Sequence, residues 1–293
     1  MTPEEEIKQF GIQRGADLVG IASVADINKY APPGHRPDDF LIGAKSVIVI
    51  AGRQTLQGAW RGPDYRTQYH NRYFAGIRMG ILMAAARFIE SKYGYYALAD
   101  TPPSLGLNPS LSLKLCAEMA GIGTRSMAGN IILNGELGMV TFYACITTMP
   151  LMSDGPLKEP VCPGPSCVKL WEKRQTAPCL EACPECLSGE LEGNRIKWMR
   201  YDRRICSTRA QNLSPASFER LLLESIKEPD PEVRRSMLLG SFSRNTAQAI
   251  AFGTVVGQCG ECFRNCPICV RARTLKVKTV EEESVESPPT RRP

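Results

Sequence analysis

Apolar positions recur on two different periods through the first half of the chain. Thr2 stands as an N-cap, Pro3 at the first helical position and Glu5 in place to close a capping box, so a helix is predicted over residues 2–15. Two short runs rich in Val and Ile follow, DLVGIA at 17–22 and SVIVIA at 46–51, and both suit buried strands. Between residues 68 and 91 the spacing changes: Ile77, Ile81, Ala85 and Phe88, joined by Leu82 and Ile89, mark one face of a long amphipathic helix. A third strand is expected at 95–99, a helix at 110–120, and two more strands at 130–133 and 139–148 with a hairpin turn over Gly135–Gly138. The texture then shifts. Residues 159–186 are dense in Pro and Cys with little periodicity and read as a loop wrapped around an inorganic core. Helices return at 214–227, where Ser214 caps and Pro215 begins, and at 231–256. From Glu281 no apolar period remains and a disordered tail is expected.

Composition narrows the classes. With 293 residues and 43% hydrophobic content the chain can bury a real core. It contains no apolar run of eighteen residues, and its first residues, MTPEEEIKQF, are acidic where a secretion leader would be basic and then apolar. The expected location is the cytoplasm. A net charge of +6 arises from lysines and arginines interspersed with acids, a pattern of a solvated surface that predicts neither a nucleic-acid nor a membrane partner.

The cysteines change the picture more than anything else. There are 12, and all but Cys116 and Cys145 fall between Cys162 and Cys269. In a reducing compartment such a density points to metal rather than disulfides. Two-cluster ferredoxins use Cys-x2-Cys-x2-Cys-x3-Cys-Pro twice, with the last cysteine of each run binding the other cluster. Here Cys179-x3-Cys183-Pro184 and Cys259-x2-Cys262-x3-Cys266-Pro267 both keep the three-residue step into proline. Each cluster iron needs a thiolate, short spacings let one turn of backbone present several sulfurs, and proline turns the chain away from the cubane.

Upstream of Cys179 the usual ligand positions hold Thr176 and Lys173, so the missing ligands fall to Cys162 and Cys167; between the two motifs the candidate is Cys206. The crossing rule then gives one cluster as Cys162, Cys167, Cys179 and Cys266, and the other as Cys183, Cys206, Cys259 and Cys262. Cys186 and Cys269 exceed the eight thiols required, and are either spare or replace an assigned ligand. Cysteine-ligated structural zinc is the alternative, though it does not call for the doubled proline ending. Cys116 and Cys145 sit among apolar residues, as core cysteines do. The chain is therefore expected to comprise an α/β cofactor-binding module at 1–158, a ferredoxin-like two-[4Fe-4S] module with inserted helices at 159–275, and a tail at 276–293.

Residues 110–150, SLSLKLCAEMAGIGTRSMAGNIILNGELGMVTFYACITTMP, together with the cysteine layout, resemble the cobalamin-dependent reductase superfamily, which spans epoxyqueuosine reductases and reductive dehalogenases. The matching pieces are the Ala120-Gly121-Ile122-Gly123 turn, the IILN and FYACITT strands, the exit Thr148-Met149-Pro150-Leu151 and YDRRIC around Cys206, with weaker similarity back to DLVGIA. The resemblance covers nearly the whole chain before the tail. It implies an α/β (α+β), nitroreductase-like module that cradles a base-off corrinoid, followed by clusters that feed electrons to the cobalt one at a time. No Asp-x-His-x-x-Gly motif supplies an axial histidine.

By the same resemblance, Gly121 and Gly123 lie where backbone approaches the corrinoid, or else form a tight helix-to-strand connection, and Arg125 and Ser126 follow where polar groups face the pocket. A dehalogenase-like proton donor would be Tyr69 or Tyr73 on the long helix, unless these pack as ordinary helix-face tyrosines. The chain departs from epoxyqueuosine reductases at their acidic proton donor: Asp100 is out of register, and Leu107 or Asn108 stands there instead. Neither a helical-repeat tRNA-binding extension after Cys269 nor the twin-arginine leader of the exported dehalogenases is expected.

The expected function is a cytosolic iron–sulfur oxidoreductase that passes electrons through two [4Fe-4S] clusters to a corrinoid reducing a small organic substrate. Alternatives are an electron carrier or reductive activator of a partner metalloprotein, and a flavin-binding reductase on the same scaffold. Oxygen sensitivity follows from the cubanes. The expected donor is a ferredoxin or flavodoxin, whose acidic surface would suit Lys197, Arg200, Arg203 and Arg204 beside Cys206.

Overall fold

The computed structural model describes residues 1–53, 64–99, 111–202, 205–206, 215–241, 243–244 and 261–273, the side chains of 64–75, 215–220, 261 and 273 excepted. Its centre is a six-stranded sheet of β1 (Leu18–Ser23), β2 (Ser46–Arg53), β3 (Ala97–Ala99), β4 (Thr124–Arg125), β5 (Ile132–Asn134) and β6 (Gly138–Thr147). All its pairings are antiparallel. β6 is the axis: one edge pairs along its length with β2, Ser46 opposite Thr147 and Arg53 opposite Val140. The other edge takes β3 near residue 147 and β5 near residue 138. β1 and β4 close the two ends.

The run SVIVIA is apolar throughout because both faces of β2 are covered. Val47, Val49 and Ala51 face a core shared with Val24 and Ile27 of helix α2 (Val24–Asn28) and Cys116 and Ala117 of helix α5 (Leu113–Met119). Ile48 and Ile50 alternate to the opposite face. There they meet Ile7 of helix α1 (Pro3–Gln13) and Ile81, Leu82, Ala85 and Ile89 of helix α4 (Asp64–Tyr93). A short helical turn of 4 residues, α3 (Pro37–Phe40), lies between α2 and β2. The capping box of α1 forms as expected: the Thr2 Oγ1 accepts from the Glu5 amide at 3.2 Å, and the Glu5 carboxylate accepts from the Thr2 amide at 2.9 Å. Phe10 stacks on Phe88 with centroids 4.4 Å apart, and Glu6 accepts from Lys92 and Tyr93, so α1 is tied to α4 by both ring and charge.

Edges are managed explicitly. The segment after β6 runs back along β1, where the Asp154 amide donates to the Ile21 carbonyl at 2.9 Å and the Asp154 carboxylate accepts from the Ile21 amide at 2.7 Å. At the far end the Thr124 hydroxyl accepts from the Val161 amide at 2.9 Å.

Two expectations are corrected beyond Pro150. The Pro- and Cys-rich stretch is not loop throughout: it holds helix α6 (Pro165–Arg174) and helix α7 (Pro178–Ala182), each with proline at its first turn, where the missing N–H is no loss. A hairpin follows that the sequence reading passed over, β7 (Leu187–Glu192) with β8 (Arg195–Tyr201), turning at Gly193 and Asn194. Helices Pro215–Lys227 and Pro231–Leu239 are present; the second is interrupted at Gly240, residues 241, 243 and 244 are again helical, and residues 245–260 lie outside the described residues. The helices Glu261–Arg264 and Pro267–Arg273 follow. Among the described residues no helix is long and apolar enough to cross a membrane.

Candidate metal centre

Short helices aim the sulfurs inward. Gly164 precedes α6, so Cys167 falls in its first turn, its amide donating to the Gly164 carbonyl at 2.9 Å. Cys179 occupies the first turn of α7, and Cys183 closes that helix. Far along the chain, Cys266 lies at the start of the Pro267–Arg273 helix and its carbonyl accepts from the Val270 amide at 2.9 Å. These segments meet at one cavity, lined by Cys162, Cys167, Cys179 and Cys266 together with Met127, Ala128, Leu191 and Ile268. All four thiols are buried.

Burial pushes the Cys162 thiol up to about 12, with Cys266 and Cys167 adding repulsion, while a hydrogen bond from the Met127 backbone opposes the shift. The thiols of Cys167 and Cys179 are raised for the same reasons, burial first and neighbouring sulfurs after. Four thiolates cannot share an apolar void unless a cation neutralises them. The donor set therefore fits a metal–sulfur group. Among the described residues no three His, Cys, Asp or Glu side chains stand together as ligands of a single ion. The four thiols instead line one cavity.

A second set of sulfurs lies in the same buried core, which joins Cys183, Cys186, Cys262 and Cys269, with Cys206 packed at its margin. Burial, then a hydrogen bond with Cys206 and the nearness of Cys262 and Cys186, raise the Tyr201 phenol. Cys206 is carried on a turn whose amide donates to the Asp202 carbonyl at 3.0 Å. Cys259 lies outside the described residues. The eleven described cysteines form no disulfide. Cys116 and Cys145 occupy opposite faces of the sheet, and burial pushes the Cys145 thiol up to about 12.

The stretch read as facing a corrinoid is engaged by the protein itself. A Cβ on Gly123 would come within 2.3 Å of the Leu133 carbonyl oxygen, and one on Gly121 within 2.9 Å of that of Gly155. The Arg125 guanidinium donates to Glu118 at 2.8 Å, and the fully buried Ser126 hydroxyl donates to the Ala128 carbonyl at 3.3 Å. These four residues are thus engaged by contacts within the protein itself. Tyr69 and Tyr73 belong to α4, but their side chains lie outside the described residues, as do Asp100, Leu107, Asn108, Arg203 and Arg204.

The sequence reading missed the turn from Met127 to Asn130. Met127 and Ala128 line the cavity, Gly129 has φ +64°, and Asn130, at φ +55°, buries a side-chain oxygen with no partner. The Gly-Asn pair was the available signal, since both residues favour left-handed backbone.

No family model matches the chain, and no curated protein matches it. Its fold does have solved counterparts. The epoxyqueuosine reductase of Streptococcus thermophilus aligns over 92% of this chain and 67% of its own at 18% identity, with a TM-score of 0.50. A reductive dehalogenase, solved in connection with B12-dependent dehalogenation, aligns over 92% of this chain and 38% of its own at 20% identity, also with a TM-score of 0.50. A catabolic reductive dehalogenase gives 19% identity, 92% and 38% coverage, and 0.50. The chain spans 65% of the length of the Bacillus subtilis epoxyqueuosine reductase. At these identities the likeness is one of fold alone.

Proposed function

We propose that the protein is an iron–sulfur reductase that passes single electrons through two [4Fe-4S] clusters to a bound corrinoid, which reduces a small organic substrate. The observation that carries the electron-transfer part is the meeting of Cys162, Cys167 and Cys179 with the distant Cys266 around one apolar cavity. Such a cavity would hold the first cluster, and Cys183, Cys206, Cys259 and Cys262 the second. Apolar walls at Met127, Ala128, Leu191 and Ile268 keep water from the sulfurs, and the Met127 amide donates toward Cys162, both of which tune a cluster's potential.

Support for the corrinoid is the shared fold alone. When bound, the corrinoid would supply the strongly reducing metal at which a carbon–heteroatom bond is cleaved. Tyr69 and Tyr73 are the proposed proton donors, and Gly121, Gly123, Arg125 and Ser126 the proposed contacts.

A second reading is an electron carrier or reductive activator without a substrate of its own. It is favoured by the way Gly121, Gly123, Arg125 and Ser126 are already taken up by protein contacts. Anaerobic purification followed by iron, sulfide and corrinoid analysis decides between them. About eight irons per chain with extractable corrinoid supports the reductase, and clusters alone support the carrier. A flavin spectrum would favour a flavin reductase, and zinc in place of iron would overturn both. Binding of a tRNA stem-loop at physiological salt would displace the small-molecule substrate.

A further inference from the structure

The β7–β8 hairpin is inserted between two cysteines of the buried core. It leaves just after Cys186 and returns to Cys206. One face packs inward, with Leu187 and Leu191 buried and Ile196, Met199 and Tyr201 against the sulfur-rich core. The inner face is so close that a Cβ on Gly189 would come within 3.1 Å of the Met127 methyl.

The outer face is of opposite character. Arg195, Lys197, Trp198 and Arg200 are exposed, and Trp198 keeps 47% of its surface in solvent. The register shift between Glu190 and Leu191 brings two consecutive side chains onto one carboxylate: the Trp198 indole donates to Glu190 at 2.8 Å and Lys197 pairs with it at 3.0 Å. The indole is thereby held in place before any partner arrives, and exposed, fixed Trp and Arg are the side chains that anchor protein interfaces.

Charge names the partner. Between Cys186 and Cys206 the sequence carries five basic residues and three acidic ones. Two of those acids are occupied within the segment, Glu190 as above and Asp202 accepting from the Ile205 amide at 2.9 Å and facing the largely exposed Arg200 guanidinium at 4.0 Å. Among the described cysteines Cys206 alone is not fully buried, and it lies where the hairpin ends. Among the described cysteines it is thus the one most open to an electron arriving from solvent.

We propose that the outer face of the β7–β8 hairpin is the docking surface for an acidic, low-potential electron-carrier protein of the ferredoxin class, which delivers its electron beside Cys206. This rests on the iron–sulfur reading above. One electron leaves the reduced carrier and one cluster gains it, with no bond made or broken.

The test uses Arg195→Glu combined with Arg200→Glu, which leaves the Lys197–Glu190 pair intact. An acidic plant-type ferredoxin, reduced photochemically, is mixed anaerobically with the full chain and cluster bleaching is followed by stopped flow. The expected result is about a ten-fold slower second-order rate at low salt, converging with the wild type at high salt, because rim charges act on encounter. Iron, sulfide and the dithionite-reducible fraction stay unchanged. Equal rates at every salt concentration overturn the docking surface. If the wild type itself contains no iron, the earlier reading has failed, and docking is scored by calorimetric binding of the oxidised ferredoxin: weakened by the double variant if the surface is right, unaltered if it is wrong.

Discussion

Gly129 stands against the sulfur of Cys262: a Cβ placed on it would come within 3.1 Å of Sγ. Its backbone is left-handed as well, at φ +64°. The fold brings these two together from the middle of the chain and its last part, and the turn that carries Gly129 also presents Met127 and Ala128 to the neighbouring cavity. One tight turn therefore touches both groups of thiols.

Replacing Gly129 by Ala is expected to displace Cys262 and cost about 1–3 kcal/mol of backbone strain. Under the two-cluster proposal the iron content should fall from about eight toward about four per chain, with the first cluster retained. Full iron and unaltered paramagnetic resonance in Gly129→Ala would contradict it.

Gly138 begins β6 at φ +71°, and a Cβ there would meet the Ala272 Cβ at 3.0 Å and the Cys269 Cα at 3.1 Å. Gly138→Ala should lower stability by about 1–3 kcal/mol through strain and crowding. Gly135→Ala, where nothing lies within 4 Å, should stay within about 0.5 kcal/mol. Chemical denaturation of the two variants side by side reads the difference.

The Cys145 thiol, ordinarily near 9.0, is pushed up to about 12 by complete burial. The folded chain holds this proton where the unfolded chain has released it, so the contribution is full below pH 9 and is lost as pH rises toward 12. Burial and the Glu6 hydrogen bond also raise Tyr93 from 10.0 to about 12, in the same direction. Stability measured in urea should decline from pH 9 upward, and Cys145→Ala should flatten that decline without changing iron content. An identical slope in the variant would refute the assignment.

Arg78 is 2% exposed and donates to the Thr141 hydroxyl and the Arg53 carbonyl, near Asp17. Asp17 in turn accepts from the Arg53 amide at 2.8 Å. Burial lowers the Arg78 guanidinium to about 10, a cost borne because its fork ties α4 to the end of β2 and β6. Arg78→Met removes a donor from two acceptors and should destabilise by about 1–3 kcal/mol. Arg78→Lys keeps the charge but not the fork, and should recover only part of the loss in the same unfolding assay.

Strands β1, β2 and β6 and the helix α4 were legible because their apolar spacing is local. The two-face covering of β2 even explains why its alternation is hidden in a continuous apolar run. Helices α6 and α7 were not legible, since proline and cysteine density suggests loop, while proline at a first turn is compatible with helix. The β7–β8 hairpin was obscured by Lys197 and Arg200, read as a basic patch rather than as the outward half of an alternating strand. The four thiols that the crossing rule groups line one cavity, but nothing local announced that Met127 and Ala128 would form its wall. That contact depends on Leu133 and Met139 packing into the same core, which is a tertiary fact.

The last helix, Pro267–Arg273, is bolted to the sheet: the Arg53 guanidinium donates to the Ala272 carbonyl at 3.2 Å, and that of Arg271 to the Gly135 carbonyl at 3.1 Å. Since Cys266 opens that helix, a nascent chain emerging from the ribosome has its whole sheet in hand before the fourth wall of the cavity exists. Whatever fills the void must be delivered to an almost finished polypeptide, and a premature stop shortly before Cys266 would leave a folded sheet with an open, oxidisable wound.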